Sequence, residues 1–237
     1  PITESVSLRH GTSGGGAHAG QVQDEAGDDA AAAAFTSLHP TPSGDGLLAV
    51  TGDSRLLFYG AGDDARESSG AGALKVTREL IGSTDEIIAA SFLPNAGDAK
   101  APSAALAVAT NSPLLRVFDP ETMACTAALA GHAGAILTLD TAVGPSGEAL
   151  VLTGSRDHTV RLWDLAAGKT RATLTHHKRG IRAVACAPFD GSFVSAAADA
   201  VRTWRRKDGA LLRTMRGHNA VLTACDVNSA GVLATAG

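Results

Sequence analysis

The chain has 237 residues, enough for one domain with a substantial core, and carries 44% hydrophobic residues, 4% aromatics, 27 glycines and a net charge of −4. No apolar run approaches the roughly 18–20 residues of a membrane-spanning helix, and no basic segment with a hydrophobic stretch opens the chain, which reads as soluble and intracellular. Cys125, Cys186 and Cys225 stand apart without CxxC spacing, which argues against a zinc site or a disulfide framework and for small core residues.

The opening Pro1 in place of Met points to a processed or excised piece. Residues 1–150 hold 7 Lys+Arg against 18 Asp+Glu, whereas 151–216 hold 13 against 5, so an acidic section adjoins a basic one. Residues 1–34 read as a flexible segment: 11–34 run through GTSGGGAHAG, DEAGDD and a row of alanines, with nothing to bury. A strand from ESVSLRH (4–10) is one candidate to patch a sheet edge.

From Phe35 onward one pattern returns: DSRLLFYG (53–60), NSPLLRVFD (111–119), RDHTVRLWD (156–164) and ADAVRTWRR (198–206), each a polar turn before an apolar strand with an aromatic near its end. Upstream of these lie Gly82-Ser83, Gly131-His132, His176-His177 and Gly217-His218, at steps of about 40–50 residues, which is a repeat period. Within the third unit, apolar alternation marks strands at 135–140, 149–153, 159–163 and 170–174, separated by GPSGE, SRDH and LAAGK. Four antiparallel strands per repeat make a propeller blade, so the fold expected is an all-β propeller. Its blades fall near 35–81, 82–130, 131–175 and 176–216, with a partial fifth at 217–237.

A Gly-His pair, then Ser or Thr and Asp near a tight turn, then Trp-Asp is the pattern of WD40 repeats, and the chain resembles that family from about residue 35 to its end. The resemblance implies a buried chain of hydrogen bonds in which the turn Asp accepts from the His, the His from a hydroxyl, and the chain reaches the Trp indole N–H. Its members are His132, Thr153 or Ser155, Asp157 and Trp163 in the third unit, and His177, Ser195, Asp199 and Trp204 in the fourth, where a shorter Asp-to-Trp interval predicts a tighter turn. The second unit has Ser83, Asn111 and Phe118 at these places and is expected to lack the network. The fifth has His218 and strands expected at 221–226 and 232–235. The family closes with seven blades, so an incomplete propeller, either a fragment or one completed by another protein, is expected.

Residues 35–164 further resemble the transducin β-like 3 family of ribosome-biogenesis proteins, through GLLAVTGDSRLLFY, ELIGSTDEII, AVATNSPLLRVFD and MACTAALAGHAGAILTLDTAV. Residues 165–237 resemble the pleiotropic regulator family of splicing proteins, through LAAGKTRATLTHHKRGIRAV and RGHNAVLTACDVNSAGVLATAG. The change of resemblance lies near the change of charge, which raises the expectation of a junction between two related segments. Both families imply a non-enzymatic scaffold in a large nuclear ribonucleoprotein complex, nucleolar in the first case, with other proteins as partners, no membrane and no small-molecule substrate.

No cofactor, metal or catalytic set is expected: His132, His177 and His218 recur with the repeat, and GTSGGGAHAG lacks the Lys-Ser/Thr of a phosphate loop. Direct contact with RNA phosphates is the competing reading. Lys178, Arg179 and Arg182 cluster at the start of the fourth unit, and Arg205, Arg206 and Lys207 follow its Trp. The plainer reading of these residues is a solvated basic face. Partner contacts on the scaffold point to Arg156, His158, Lys178 and Arg179, in the loops before the first strands and between the middle ones.

Overall fold

The structure, a computed structural model, describes residues 7–10, 35–41, 44, 46–61, 74–81, 85–93, 105–144, 147–187, 191–218, 221–228 and 230–237. All its regular elements are strands. The first blade contains β2 (Phe35–Pro40), β3 (Gly46–Thr51), β4 (Leu56–Ala61) and β5 (Leu74–Ile81), with β1 (Ser7–His10) added antiparallel to β5 as a fifth strand. Residues 7–10 of the 4–10 stretch thus do patch an edge, while 1–6 and 11–34 lie outside the described residues.

The second blade is β6 (Ile87–Phe92), β7 (Leu106–Thr110), β8 (Leu115–Phe118) and β9 (Cys125–Leu129). The third is β10 (Ile136–Val143), β11 (Ala149–Ser155), β12 (Val160–Asp164) and β13 (Lys169–Leu174). The fourth is β14 (Ile181–Cys186), β15 (Ser192–Ala197), β16 (Ala200–Arg205) and β17 (Leu211–Met215). The last sheet holds β18 (Ala224–Val227) and β19 (Leu233–Ala236), each one to three residues later than the sequence pattern placed it.

Successive blades touch through their first strands, β2 on β6, β6 on β10, β10 on β14 and β14 on β18, and the array does not close, so the propeller is incomplete. The burial of each strand follows from its place in the blade. Second strands are sandwiched between neighbouring sheets on both faces, and β7 and β15 are buried at every position, as a continuous rather than alternating apolar run requires. Fourth strands meet solvent on one face and alternate, as in β13. Cys125, expected in the core, is exposed because it begins the outermost strand of its blade; Cys186 and Cys225 are partly buried.

The core consists of layers between sheets rather than one central nucleus. Leu48, Leu56 and Phe58 of the first blade pack on Ile87 and Leu106 of the second, and Leu150, Leu152 and Leu162 of the third pack on Ile181 and Phe193 of the fourth. Gly154 sits in a close approach of the third and fourth blades: a Cβ there would lie 2.5 Å from the Ile181 Cγ2 of the fourth and 2.8 Å from the Thr138 Cγ2 of its own blade. Gly154→Ala is expected to cost about 1–3 kcal/mol through overpacking. Gly217→Ala, where a Cβ meets nothing within 4 Å, should stay within about 0.5 kcal/mol of the parent. Urea midpoints for the two variants check this, and equal midpoints would contradict the tight approach.

Candidate functional site

In the third blade the second and third strands pair with Leu152 opposite Leu162 and Thr153 opposite Arg161, which sets the Thr153 hydroxyl beside the Trp163 ring. The Trp163 indole N–H donates to Thr153 Oγ1 at 2.7 Å, and this hydroxyl donates to His132 Nε2 at 2.8 Å. His132 Nδ1–H then donates to Asp157 Oδ2 at 2.9 Å. This tautomer of a neutral imidazole gives each group a matched partner. Ser155, the other candidate hydroxyl, instead donates to the Gly134 carbonyl and accepts from the Asp157 amide.

The fourth blade repeats the arrangement. Trp204 donates to Ser195 Oγ at 2.8 Å, Ser195 to His177 Nε2 at 2.8 Å, and His177 Nδ1–H to Asp199 Oδ1 at 3.0 Å. Its turn is the tighter one: Ala197 pairs directly with Ala200, leaving two residues between the strands, whereas in the third blade 156–158 make the turn and His158 takes a φ of +71°.

An Arg recurs two residues before the aromatic in three blades, with Arg161 in the same repeating frame as Trp163. Arg202 donates to Asp199 Oδ2 at 2.9 Å and abuts His177, so that one carboxylate holds two donors together. Arg161 reaches Thr170 Oγ1 at 3.2 Å. Arg116 pairs with Asp85 at 2.9 Å and donates to Thr110 Oγ1, cross-linking the second blade without a His. Ser83 lies outside the described residues. His218 bonds Thr235 Oγ1 at 2.7 Å but is exposed, unlike His132 and His177.

Burial, which outweighs the pull of the neighbouring carboxylates, holds both His132 and His177 below the ordinary imidazole pKa. The unfolded chain therefore binds more protons below about pH 6.5. The histidines' contribution is complete above that pH and is lost as the pH falls through their folded pKa. Asp157 and Asp199 act later in the same direction. Burial opposes their ionisation, but hydrogen bonds outweigh it, from Thr159, the Ala133 amide and His132 at Asp157 and from His177 and Arg202 at Asp199; Asp157 is held at about 2. Asp140, raised by burial, acts oppositely, its contribution being lost as the pH rises through its folded pKa. The melting temperature should be level down to about pH 6.5 and fall below it. A rise on acidification from about pH 6.5 to 5 would show the histidines to be charged in the fold.

The basic residues do not form one patch. Arg156, His158, Lys178, Arg179 and Arg182 are exposed at the end of the blades that carries the His–Asp turns, where Gly180 lies against the Arg156 backbone. Arg205 and Lys207, also exposed, lie at the other end of the six-residue strand β16, roughly 17–20 Å away. Arg206 corrects the sequence expectation. It is 8% exposed and donates to the carbonyls of Val143 at 2.8 Å, Ala187 at 2.6 Å and Ser192 at 3.3 Å, because its backbone turns inward at Gly191 and carries the guanidinium between the third and fourth blades.

Comparison with known proteins matches residues 123–164 to the WD domain, G-beta repeat. That stretch runs from the fourth strand of the second blade through three strands of the third, so one sequence repeat laces two sheets together. The chain is 27% identical over 231 residues to transducin beta-like protein 3 of Bos taurus, covering 73% of this chain and 27% of that protein. It is 30% identical over 152 residues to the Rattus norvegicus protein of the same name, covering 62% and 16%. To the pleiotropic regulator PRL2 of Arabidopsis thaliana it is 40% identical over 71 residues, covering 30% and 15%. The chain spans about a quarter or less of the length of these relatives. With the matched repeat seated in sheets of this form, the chain contains a WD40 repeat domain.

Proposed function

We propose that the chain is a non-enzymatic WD40 scaffold of a nuclear ribonucleoprotein assembly, and specifically a component of the small-subunit processome that matures small-subunit ribosomal RNA with the U3 small nucleolar ribonucleoprotein particle. The observation that carries this is the reach of the bovine match. At 73% of the chain it exceeds what residues 1–164 could supply, so it continues past Asp164 into the region that resembles splicing regulators. A scaffold role fits the site chemistry, since the histidines of the third and fourth blades are already engaged by a hydroxyl on one nitrogen and a carboxylate on the other. Affinity purification from nuclear extract tests it: recovery of U3 RNA and processome proteins is expected, with localisation to the nucleolus. Recovery of splicing factors instead would favour the second reading, a pleiotropic-regulator-like splicing scaffold, which the 40% identity to PRL2 supports.

Direct RNA contact is supported by the exposed Arg156, Lys178, Arg179 and Arg182, whose side chains make no hydrogen bond or ion pair among the described residues. The double variant Lys178→Glu, Arg179→Glu should weaken RNA retention several-fold at low salt and flatten its salt dependence by roughly one to two counterions. Unchanged retention would remove this reading.

A further inference from the structure

The ends of the four first strands, at Pro40, Phe92, Val143 and Cys186, line an open cavity of about 500 Å³ at the opposite end of the blades from the His–Asp turns. Arg206 lines it. Arg206 is more than nine-tenths buried, yet among the described residues its side-chain partners are main-chain carbonyls and its Nε has none. Carbonyl dipoles solvate a cation but do not neutralise it, and a buried charge without a counter-ion is costly. Among the described residues no carboxylate forms an ion pair with Arg206; the Asp140 carboxylate accepts instead from the amides of Cys186 and Thr141, each at 2.7 Å. A second polar atom without a partner belongs to the same cavity, Nε2 of the half-buried His39, and burial lowers the pKa of that imidazole.

We propose that this cavity is a binding site for a carboxylate carried on an acidic peptide segment of a protein partner, with Arg206 as the counter-ion. The inference rests on the scaffold reading above and gives that scaffold a partner chemistry. The hydroxyls of Thr41 and Thr141 in the wall already donate to the carbonyls of Gly46 and Phe92, which leaves the Arg206 guanidinium as the group that meets an anion. The wall also provides apolar surface at Phe92 and at Val143, which is 42% exposed, for the flanking residues of a peptide. The volume suits a side chain with its neighbours rather than a free inorganic anion.

The test is a titration of the full 237-residue chain, following the Arg206 Nε–H signal in proton–nitrogen correlation spectra. Three probes are used: an acetylated, amidated Ala-Glu-Ala peptide, its Gln counterpart, and inorganic phosphate. A saturable shift with the glutamyl peptide, absent with the Gln peptide and weaker with phosphate, is expected. Arg206→Met should lower affinity roughly ten- to a hundred-fold. If that variant does not fold, the unaltered chain still decides. No shift, an equal shift with the Gln peptide, or a stronger one with phosphate overturns the assignment. Purification from nuclear extract is independent of this titration, so processome recovery with no Arg206 response rejects the site alone, and the converse rejects the assembly alone.

Discussion

Thr153→Val is expected to lower the unfolding free energy by roughly 2–5 kcal/mol, because one hydroxyl serves two buried groups and its loss leaves both without partners. Thr153 is 0% exposed, as is Trp163, and His132 is 6% exposed, so water does not replace the missing bonds. The second blade shows how the network is dispensed with when it is absent as a unit. By register Val108 lies opposite Arg116 as Thr153 lies opposite Arg161, and Phe118 takes the place of the Trp. Apolar residue and Phe go together there, which predicts strong coupling. Adding Trp163→Phe to Thr153→Val should cost clearly less than the sum of the single changes. Thr153→Ser, which restores the residue type that the fourth blade uses at Ser195, should recover most of the loss. Urea unfolding of the four proteins measures the cycle, and additive costs, or a Thr153→Val variant as stable as its parent, would sink the shared-hydroxyl account.

The third and fourth blades were legible because period, turn residues and aromatics all repeat there, and the strands of the third begin and end within a few residues of the apolar alternation. Legibility failed for Arg206. Three cations in a row after a Trp read as surface charge, and nothing local shows that the middle one turns inward to carbonyls contributed by two blades. The Asp140 carboxylate, bonded to the Cys186 amide of the neighbouring sheet, is equally silent in sequence because its partner is a main-chain group 46 residues away. The recurring Arg before the aromatic was visible, but its meaning was not: the same position reaches an Asp of the preceding loop, a Thr of the next strand, or an Asp of its own hairpin.

The change in charge and resemblance near residues 150–165 has no counterpart in the backbone. β11, β12 and β13 pair in continuous order across it, with Asp164 opposite Lys169. The Glu148 and Arg171 side chains meet at 2.6 Å from the two sides. A junction placed there would cut through one hydrogen-bonded sheet and separate Trp163 from the strand that covers it, whereas the bovine match passes through the same point. The charge change therefore falls within the third blade, inside one continuously paired sheet.

Trp204→Ala is expected to be among the most damaging single changes, about 3–5 kcal/mol, since it removes a fully buried ring on which a blade is assembled. Phe193 stacks against that ring at 6.4 Å with planes 19° apart, and His176 meets it edge-on at 5.3 Å. Those contacts belong to packing, whereas the indole N–H bond to Ser195 belongs to the network. Trp204→Phe separates the two, because it keeps most of the ring and deletes the donor. Ser195 still has His177 as a partner, so the loss in Trp204→Phe should be smaller, near 1–2 kcal/mol. Thermal or urea melts of both variants give the ratio. Similar losses would mean that the hydrogen bond, and not the area, holds the fourth blade together. A small loss in both would mean that Phe193 and the neighbouring leucines of the third blade maintain that layer without the Trp.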